Sequence, residues 1–391
     1  MERIGIFGGS FDPPHIGHIQ AAKQAAASLQ LDKLLLMPAF APPHKASLQV
    51  SAQHRLEMMR LACRGEQVLE ASDLEIRRGS TSYTFETVLQ VRQMYPQAQI
   101  FLLMGSDMFP TFHNWKNPEI ILQQAQLAVF CRGHKGEKEK IATKKAELER
   151  QGHQVAVVEL QPTEISSTQM RRLLAFGCGD ELMPEGVGAY IRQHSLYHIH
   201  TDRKHLPMEQ LEQVVISLLK PNRVNHVLGC RDTAARLARI WGVDETDAAR
   251  AGMLHDVTKA LDGPLQLTLC QAYGKILSDF SRRYPKTLHA LTGSLVAQRI
   301  FGENEAVVAA IESHTTGKAA MNTLEKIIYV ADYMEPNRDF PGVERLRHLA
   351  ETDLDAALKL GLEMTLEHLK NQGAEVSPES REALAYLNGK H

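Results

Sequence analysis

Two textures divide the chain. Up to about residue 200, short apolar runs alternate with segments whose apolar residues recur at helical spacing. The runs Arg3–Phe7, Lys33–Met37, Gln67–Leu69, Gln99–Met104, Gln126–Cys131 and Val155–Leu160 predict strands. Gly17–Leu29, Ser51–Cys63, Thr84–Met94, Pro118–Gln124 and Ser167–Phe176 predict helices, with Ser51 as an N-cap. Such alternation predicts βαβ units and a mostly parallel sheet covered on both faces. Sheets of this kind bind ligands beyond the carboxyl ends of their strands, so the turn after the first strand is the place to look.

Beyond residue 200 the strand patterns stop. Met208–Leu219, Asn222–Ile240, Glu245–Leu254, Pro264–Tyr273, Leu288–Ile300, Glu305–Ser313, Thr323–Met334 and Leu354–Asn371 predict helices. The expected architecture is α/β followed by all-α, with domains 1–200 and 201–391 joined through the polar, His-rich stretch His198–His205. No repeat at a solenoid period interrupts this division.

Composition narrows the function classes. At 391 residues, two cores are the natural prior. A net charge of -2 gives no reason to expect a nucleic-acid partner. The one dense charge run, Arg132 to Arg150, mixes both signs and reads as a solvated helix. No stretch approaches the ~18 consecutive apolar residues of a membrane span, and the N-terminus runs directly into a strand pattern with no leader. The five cysteines are scattered without a CxxC, which suits a reducing, cytoplasmic setting. The oligomeric state stays open.

Candidate chemistry begins at Gly8–His18, which reads GGSFDPPHIGH. Gly8 and Gly9 allow a tight turn and close approach to a ligand. The helix that follows aims its free N–H groups and positive dipole end at that turn, an anion site. His15 and His18 flank it and can donate to phosphate oxygens with little fixed charge. Phosphate contact is favoured here over metal ligation.

The whole string resembles the GG-[ST]-FDP-x-H-x-GH signature of the nucleotidyltransferase superfamily, which binds the triphosphate of ATP on a Rossmann-like fold. Within it, the first ~195 residues look like nicotinate mononucleotide adenylyltransferases. MPAFAPPHK (Met37–Lys45), TSYTFET (Thr81–Thr87), GSDMFPTFHNW (Gly105–Trp115), ISSTQMRR (Ile165–Arg172) and GAYIRQHSLY (Gly188–Tyr197) match that family's segments in order. The resemblance implies that Gly8, Gly9, Ser10, Phe11, His18, Gly105, Asp107, Ser167, Thr168 and Arg171 bind ATP. It implies that Tyr83, Thr84 and Trp115 bind nicotinate mononucleotide, Trp115 by stacking. As catalytic residues, His18 and His15 would hold the transferring phosphoryl group and Lys45 and Arg171 would offer cations to the phosphates, with magnesium bridging the triphosphate mainly through substrate oxygens and water. The attacking 5′-phosphate is already ionised, so positioning and charge neutralisation are the whole task. Trp115 and the SYT segment argue against transfer to phosphopantetheine. An aminoacyl-tRNA synthetase is disfavoured because no KMSKS-like segment or basic tRNA-binding domain is present.

The second half carries His226, the adjacent pair His255-Asp256, His289, His314 and Asp332 on separate helical segments. Imidazole and carboxylate donors suit iron, manganese or zinc, and a helical bundle is a recurrent frame for two such ions. Over about residues 205–385 this half resembles HD-domain metal phosphohydrolases, specifically the YqeK family of symmetrical diadenosine tetraphosphate hydrolases. The strongest match is SHTTGKAAMNTLEKIIYVADYMEPNRDFPGVERLR (Ser313–Arg347). The resemblance implies six ligands, His226, His255, Asp256, His289, His314 and Asp332, for two metal ions, with iron as the metal and Asp256 as a catalytic residue. Lys259, Thr315, Thr316 and Arg338 are the candidates for polyphosphate contact, and two ADP are the implied products. The alternatives are a nucleotide-sensing module and a hydrolase of another nucleotide, such as a cyclic dinucleotide or a guanosine polyphosphate.

Overall fold

In the computed structural model, the opening apolar run forms β1 (Arg3–Gly9), an inner strand of a six-stranded sheet ordered β3-β2-β1-β4-β5-β6. Residues 1–43, 48–133, 136–161 and 165–389 are described. The chain divides into two units, Met1–Ala175 with Gly179–His200, and Phe176–Cys178 with Thr201–His391.

In the first unit β1 leads to α1 (Ile16–Ser28), β2 (Lys33–Pro38), α2 (Ala52–Ala62), β3 (Leu69–Ala71), α3 (Leu74–Arg78) and α4 (Thr84–Met94). Then come β4 (Gln99–Gly105), α5 (Pro118–Gln124), β5 (Gln126–Cys131), α6 (Glu137–Arg150), β6 (Val155–Glu159), α7 (Ser167–Ala175) and α8 (Val187–Gln193). All strand pairs are parallel. Alternate residues Ile4, Ile6, Leu35, Met37, Ile100, Leu102, Leu127 and Val129 share one core with Val88 and Val91 of α4 and Ile141 and Leu148 of α6. That is the period-2 pattern of a covered face. The charge run from Arg132 does form a helix, α6, which buries Glu137, Ile141 and Leu148 and leaves its other residues wholly or partly in solvent. The strand order reverses between β1 and β4, so their carboxyl ends open a crevice.

The second unit is helical: α9 (Met208–Leu218), α10 (Val224–Trp241), α11 (Glu245–Leu254), α12 (Gly263–Ala272), α13 (Asp279–Arg283) and α14 (His289–Arg299). It continues through α15 (Glu305–Ser313), α16 (Thr323–Met334), α17 (Val343–Thr352), α18 (Leu354–Asn371) and α19 (Pro378–Leu387). Side chains of Asp244, Asp262, Asn304, Asn322, Asp353 and Ser377 accept from the N3 backbone and fix these starts. Among the described residues, no helix is long and apolar enough to cross a membrane.

The expected and observed elements differ in three instructive ways. The strand expected at Gln67–Leu69 lies at Leu69–Ala71, where its register against Leu34–Leu36 decides its position. The helix expected from Asn222 starts at Val224, because Pro221–Arg223 forms a 3-10 turn. His226 is therefore in the first turn of α10. Helices α3, α8, α13, α17 and α19 were not expected from the sequence, although α17 buries Val343, Leu346 and Ala350 at helical spacing.

Candidate active sites

The first candidate site is the crevice of the first unit. A cavity of about 270 Å³ is lined by Gly8, Gly9, Phe11, His15, His18, Gly105, Asp107 and Ser167, among others. A Cβ at Gly9 would stand 2.9 Å from the Phe11 ring, so glycine lets that ring lie close against the turn. Arg55 is fully buried and donates to the carbonyls of Ser10 (2.8 Å) and Ala39 (2.6 Å), pinning the turn from below.

The paired histidines cap α1. His15 is buried, and its backbone N–H donates to Nδ1 of His18 at 3.2 Å. A nitrogen that accepts cannot carry the ring proton, so neutral His18 is protonated at Nε2. The two rings stack with centroids 3.6 Å apart, and Phe11 meets His18 edge-on at 5.0 Å. Burial, reinforced by the charge of Arg132, pushes the His15 imidazole down to about 3. His15 is thus a neutral group, with Nδ1 buried and without a hydrogen-bond partner.

Asp12 organises the far wall. Its carboxylate accepts from Tyr197 Oη (2.8 Å) and from the backbone of Gln49 (3.0 Å), while its carbonyl accepts from Arg171 Nη1 (2.6 Å). Ser167 Oγ donates to the Pro13 carbonyl at 2.9 Å, and Arg171 Nη2 donates to Thr168 at 3.2 Å. The start of α7 is thereby tied to the loop that follows β1. Arg171 and Thr168 are not among the residues that line the cavity, and Arg171 is engaged with the loop. Asp12 and Arg55 were absent from the sequence reading. Arg55 had a signal, a cation on the otherwise apolar stripe of Leu56, Met58, Met59 and Ala62. Lys45 lies outside the described residues.

Tyr83, Thr84 and Trp115 form a second group in this unit. Thr84 opens α4. Lys116 holds its ammonium 4.0 Å from the Tyr83 ring centroid, which joins the two segments. Trp115 is half-buried against Phe112, ring centroids 5.5 Å apart, with its indole N–H unpartnered.

The second candidate site is a knot of imidazoles and carboxylates in the helical unit. Gly252 permits it: a Cβ there would stand 2.9 Å from the Arg231 Cα, so only glycine lets α11 approach α10 this closely. His226 Nε2 then lies 3.3 Å from His255 Nε2 and 3.1 Å from Asp332 Oδ1. Asp256 lies 3.6 Å from His255 Nε2, 3.4 Å from His289 Nε2 and 3.8 Å from His314 Nε2. All six sequence candidates are brought together.

Hydrogen bonding aims the four rings. Nδ1–H of His255, His289 and His314 donates to the carbonyls of Gly252 (2.7 Å), Lys286 (2.9 Å) and Ile311 (2.7 Å). His226 Nδ1 meets Glu335 Oε1 at 3.1 Å. In that tautomer Nε2 of these rings carries a lone pair, which at His289 faces the Lys259 ammonium. Burial holds His255 and His289 well below the usual imidazole range and lowers His314, so these rings are neutral. Asp256 is buried beside Arg223, and its Oδ1 has no hydrogen-bond partner. A neutral-imidazole and carboxylate donor set with an orphaned carboxylate oxygen fits divalent metal. Two groups of ligand atoms meet the spacing for an ion, His226-Cys230-His255-Asp332 and His255-Asp256-His314.

Cys230, Arg223 and Glu335 were missed by the sequence reading. Cys230 follows His226 by four residues, on the same helical face, but burial pushes its thiol well above the ordinary range. The polyphosphate candidates face the same knot. Lys259 Nζ lies 2.7 Å from His289 Nε2, Thr315 Oγ1 is 3.2 Å from both His289 and His314, and Arg338 donates to Asp332 at 3.0 Å. Thr316 instead donates to the Gly317 carbonyl.

Comparison with known proteins bears on both halves. The Cytidylyltransferase-like family matches residues 6–173, and the HD domain matches residues 223–337. A protein of Shewanella sp. (strain MR-7), named "Probable nicotinate-nucleotide adenylyltransferase", is 39% identical over 211 residues, covering 50% of this chain and 99% of the relative. A protein of Mycoplasma pneumoniae named "Probable nicotinate-nucleotide adenylyltransferase/Ap4A hydrolase" is 28% identical over 376 residues, 94% of this chain and 98% of its own. A crystal structure from Clostridium acetobutylicum, described as a "predicted HD superfamily hydrolase involved in NAD metabolism", is 37% identical. It covers 48% of this chain and 99% of its own, with a TM-score of 0.46.

Proposed function

The chain belongs, through its first half, to the nicotinate-nucleotide adenylyltransferase family, and we propose that it is a bifunctional enzyme that makes one adenylate phosphoanhydride and cleaves another. The first unit transfers AMP from ATP to nicotinate mononucleotide. The observation that carries this is the single cavity shared by the Gly8–Gly9 turn, His18 and the N-terminal residue of α7.

An oxygen of the mononucleotide 5′-phosphate forms a bond to the α-phosphorus of ATP. The bond to the α,β-bridging oxygen breaks, and pyrophosphate leaves with the electron pair. No proton needs to be removed from the nucleophile. His18 donates Nε2–H to the phosphoryl oxygens, where negative charge accumulates, and the amides at the start of α1 and α7 face the same charge. His15, neutral, packs His18 into position without adding a charge that would bind ATP and product alike. Magnesium arriving with ATP would supply charge neutralisation at the triphosphate. Tyr83, Thr84 and Trp115 form the nicotinate mononucleotide subsite, the indole face stacking on the ring.

The second unit hydrolyses diadenosine tetraphosphate at its centre. The observation that carries this is the convergence of four imidazole Nε2 atoms and two carboxylates. Water adds to one of the two inner phosphorus atoms, the central bridging oxygen leaves, and two ADP result. His226, His255, Asp256, His289, His314 and Asp332 would hold two divalent ions, iron in this reading, which supply Lewis acidity and a lowered water pKa. Lys259 and Thr315 supply donors at the edge of the knot for the phosphate oxygens. Arg338 holds Asp332 in the orientation that faces His226. Both activities act on small nucleotides in the cytoplasm.

Chromatographic product analysis of the full chain tests both. ATP with nicotinate mononucleotide and magnesium should give nicotinate adenine dinucleotide. Diadenosine tetraphosphate with ferrous iron or manganese should give ADP alone. Dinucleotide with intact tetraphosphate would overturn the second assignment and leave the first.

A further inference from the structure

We propose that Glu335 is a positioning residue of the second centre, fixing the tautomer and aim of His226, and that Gly229 is the space in α10 reserved for its carboxylate. The inference rests on the metal-centre reading above.

Glu335 is almost fully buried, at 1% exposure, just beyond the end of α16. A buried carboxylate needs partners on both oxygens. Oε2 accepts from the backbone N–H (2.7 Å) and side-chain amide (2.8 Å) of Asn337, whose amide also donates to the Asn225 carbonyl at 3.1 Å. Oε1 is left for His226 Nδ1 at 3.1 Å, with Arg338 Nε at 3.9 Å.

The other three rings of the knot take their Nδ1 partner from the carbonyl three residues earlier in their own segment. His226 stands in the first turn of α10, and its ring is held from another segment, 109 residues on. A carboxylate behind a ligating imidazole keeps the proton on Nδ1, turns the Nε2 lone pair forward and makes it a stronger donor.

Gly229 shows that the arrangement has its own allowance in the sequence. It follows His226 by three residues, on the same helical face. A Cβ at Gly229 would stand 2.4 Å from Glu335 Oε2 and 3.2 Å from Asn337 Nδ2. The clash is with the ends of side chains and not with backbone. Alanine there therefore keeps the helix, which it favours, and displaces the carboxylate.

The experiment measures Mn²⁺ binding to the full chain by electron paramagnetic resonance of the free ion, with melting of the metal-free protein as the control. E335A should bind about 10- to 100-fold more weakly. G229A should reproduce much of that loss with the second unit still folded. E335Q keeps an oxygen that accepts from Nδ1–H and should recover part of the affinity. A ¹H–¹⁵N spectrum of the metal-free, histidine-labelled protein should show His226 protonated at Nδ1 in the wild type and in E335Q, and shifted toward the other tautomer in E335A. Unchanged Mn²⁺ affinity in both E335A and G229A overturns the proposal. So does loss of binding only together with unfolding, without recovery in E335Q. A wild-type chain that binds no Mn²⁺ overturns the metal-centre reading itself.

Discussion

The backbone N–H of His15 donates to Nδ1 of His18 at 3.2 Å, so the first turn of α1 caps itself with the ring that faces the cavity. One hydrogen bond thus serves the helix start and the direction of the Nε2 proton. The expected consequence of His18→Ala is a fall in kcat for dinucleotide formation of about 10²- to 10³-fold, the usual loss for one transition-state donor. The cap is lost as well, costing about 1 kcal/mol of helix stability. Steady-state kinetics with nicotinate mononucleotide, beside diadenosine tetraphosphate hydrolysis by the same preparation, check this. Hydrolysis should be unchanged.

His15 gives the first unit an acid-sensitive stability of calculable sign. Burial pushes its pKa down to about 3, against 6.5 for the free ring. Between those values the unfolded chain binds a proton that the folded unit does not, so stability falls as pH falls. The loss begins as pH drops through about 6.5 and continues to about 3. From pH 7 to pH 5 this amounts to about 2 kcal/mol, at 1.36 kcal/mol per unit. Denaturant unfolding of the full chain at the two pH values, with His15→Gln as comparison, should show the pH dependence reduced by that amount. Dinucleotide synthesis over pH 6 to 8 should show no inflection assignable to His15.

Legibility of the sequence followed the physics of each feature. The parallel sheet was readable because β1, β2, β4 and β5 are continuous apolar runs, as strands covered on both faces must be. The cavity-facing histidines and the six-residue donor knot were readable through motif resemblance, since their types and spacing are distinctive. Asp12, Arg55 and Glu335 were not, because their roles arise from partners 16 to 185 residues away. A buried charge shows locally at most as a break in an apolar stripe, as at Arg55, and its counterpart appears only in the tertiary structure. The three-residue strand β3 was misplaced for the related reason that register against β2 decided its position.

Tyr197 offers a test of the Asp12 hub. Its hydroxyl donates to Asp12 Oδ1 at 2.8 Å, both residues being buried. Tyr197→Phe removes the donor, keeps the ring's volume and leaves a buried carboxylate oxygen short of a partner. The expected cost is about 1–3 kcal/mol of first-unit stability. Because Asp12 also positions Arg171 through its carbonyl, KM for ATP should rise while kcat changes less. Calorimetry of the full chain and ATP titrations at saturating nicotinate mononucleotide separate these effects.

Asp256 links metal binding to the stability of the second unit. Its Oδ1 is buried and without a hydrogen-bond partner, so a cation there satisfies an atom that the protein leaves unsatisfied. Ligand that binds only the folded state stabilises it by about 2.7 kcal/mol at 100 times its dissociation constant. Adding Mn²⁺ to metal-free chain should therefore raise the second calorimetric transition, and a chelator should reverse it. Asp256→Ala should abolish the metal-dependent rise and ADP formation together, with dinucleotide synthesis by the first unit intact. If the variant loses ADP formation but still responds to metal as the wild type does, Asp256 acts on the substrate and is not a ligand. If the wild type binds metal and diadenosine tetraphosphate yet releases no ADP, the second unit is a nucleotide sensor built on the same donors.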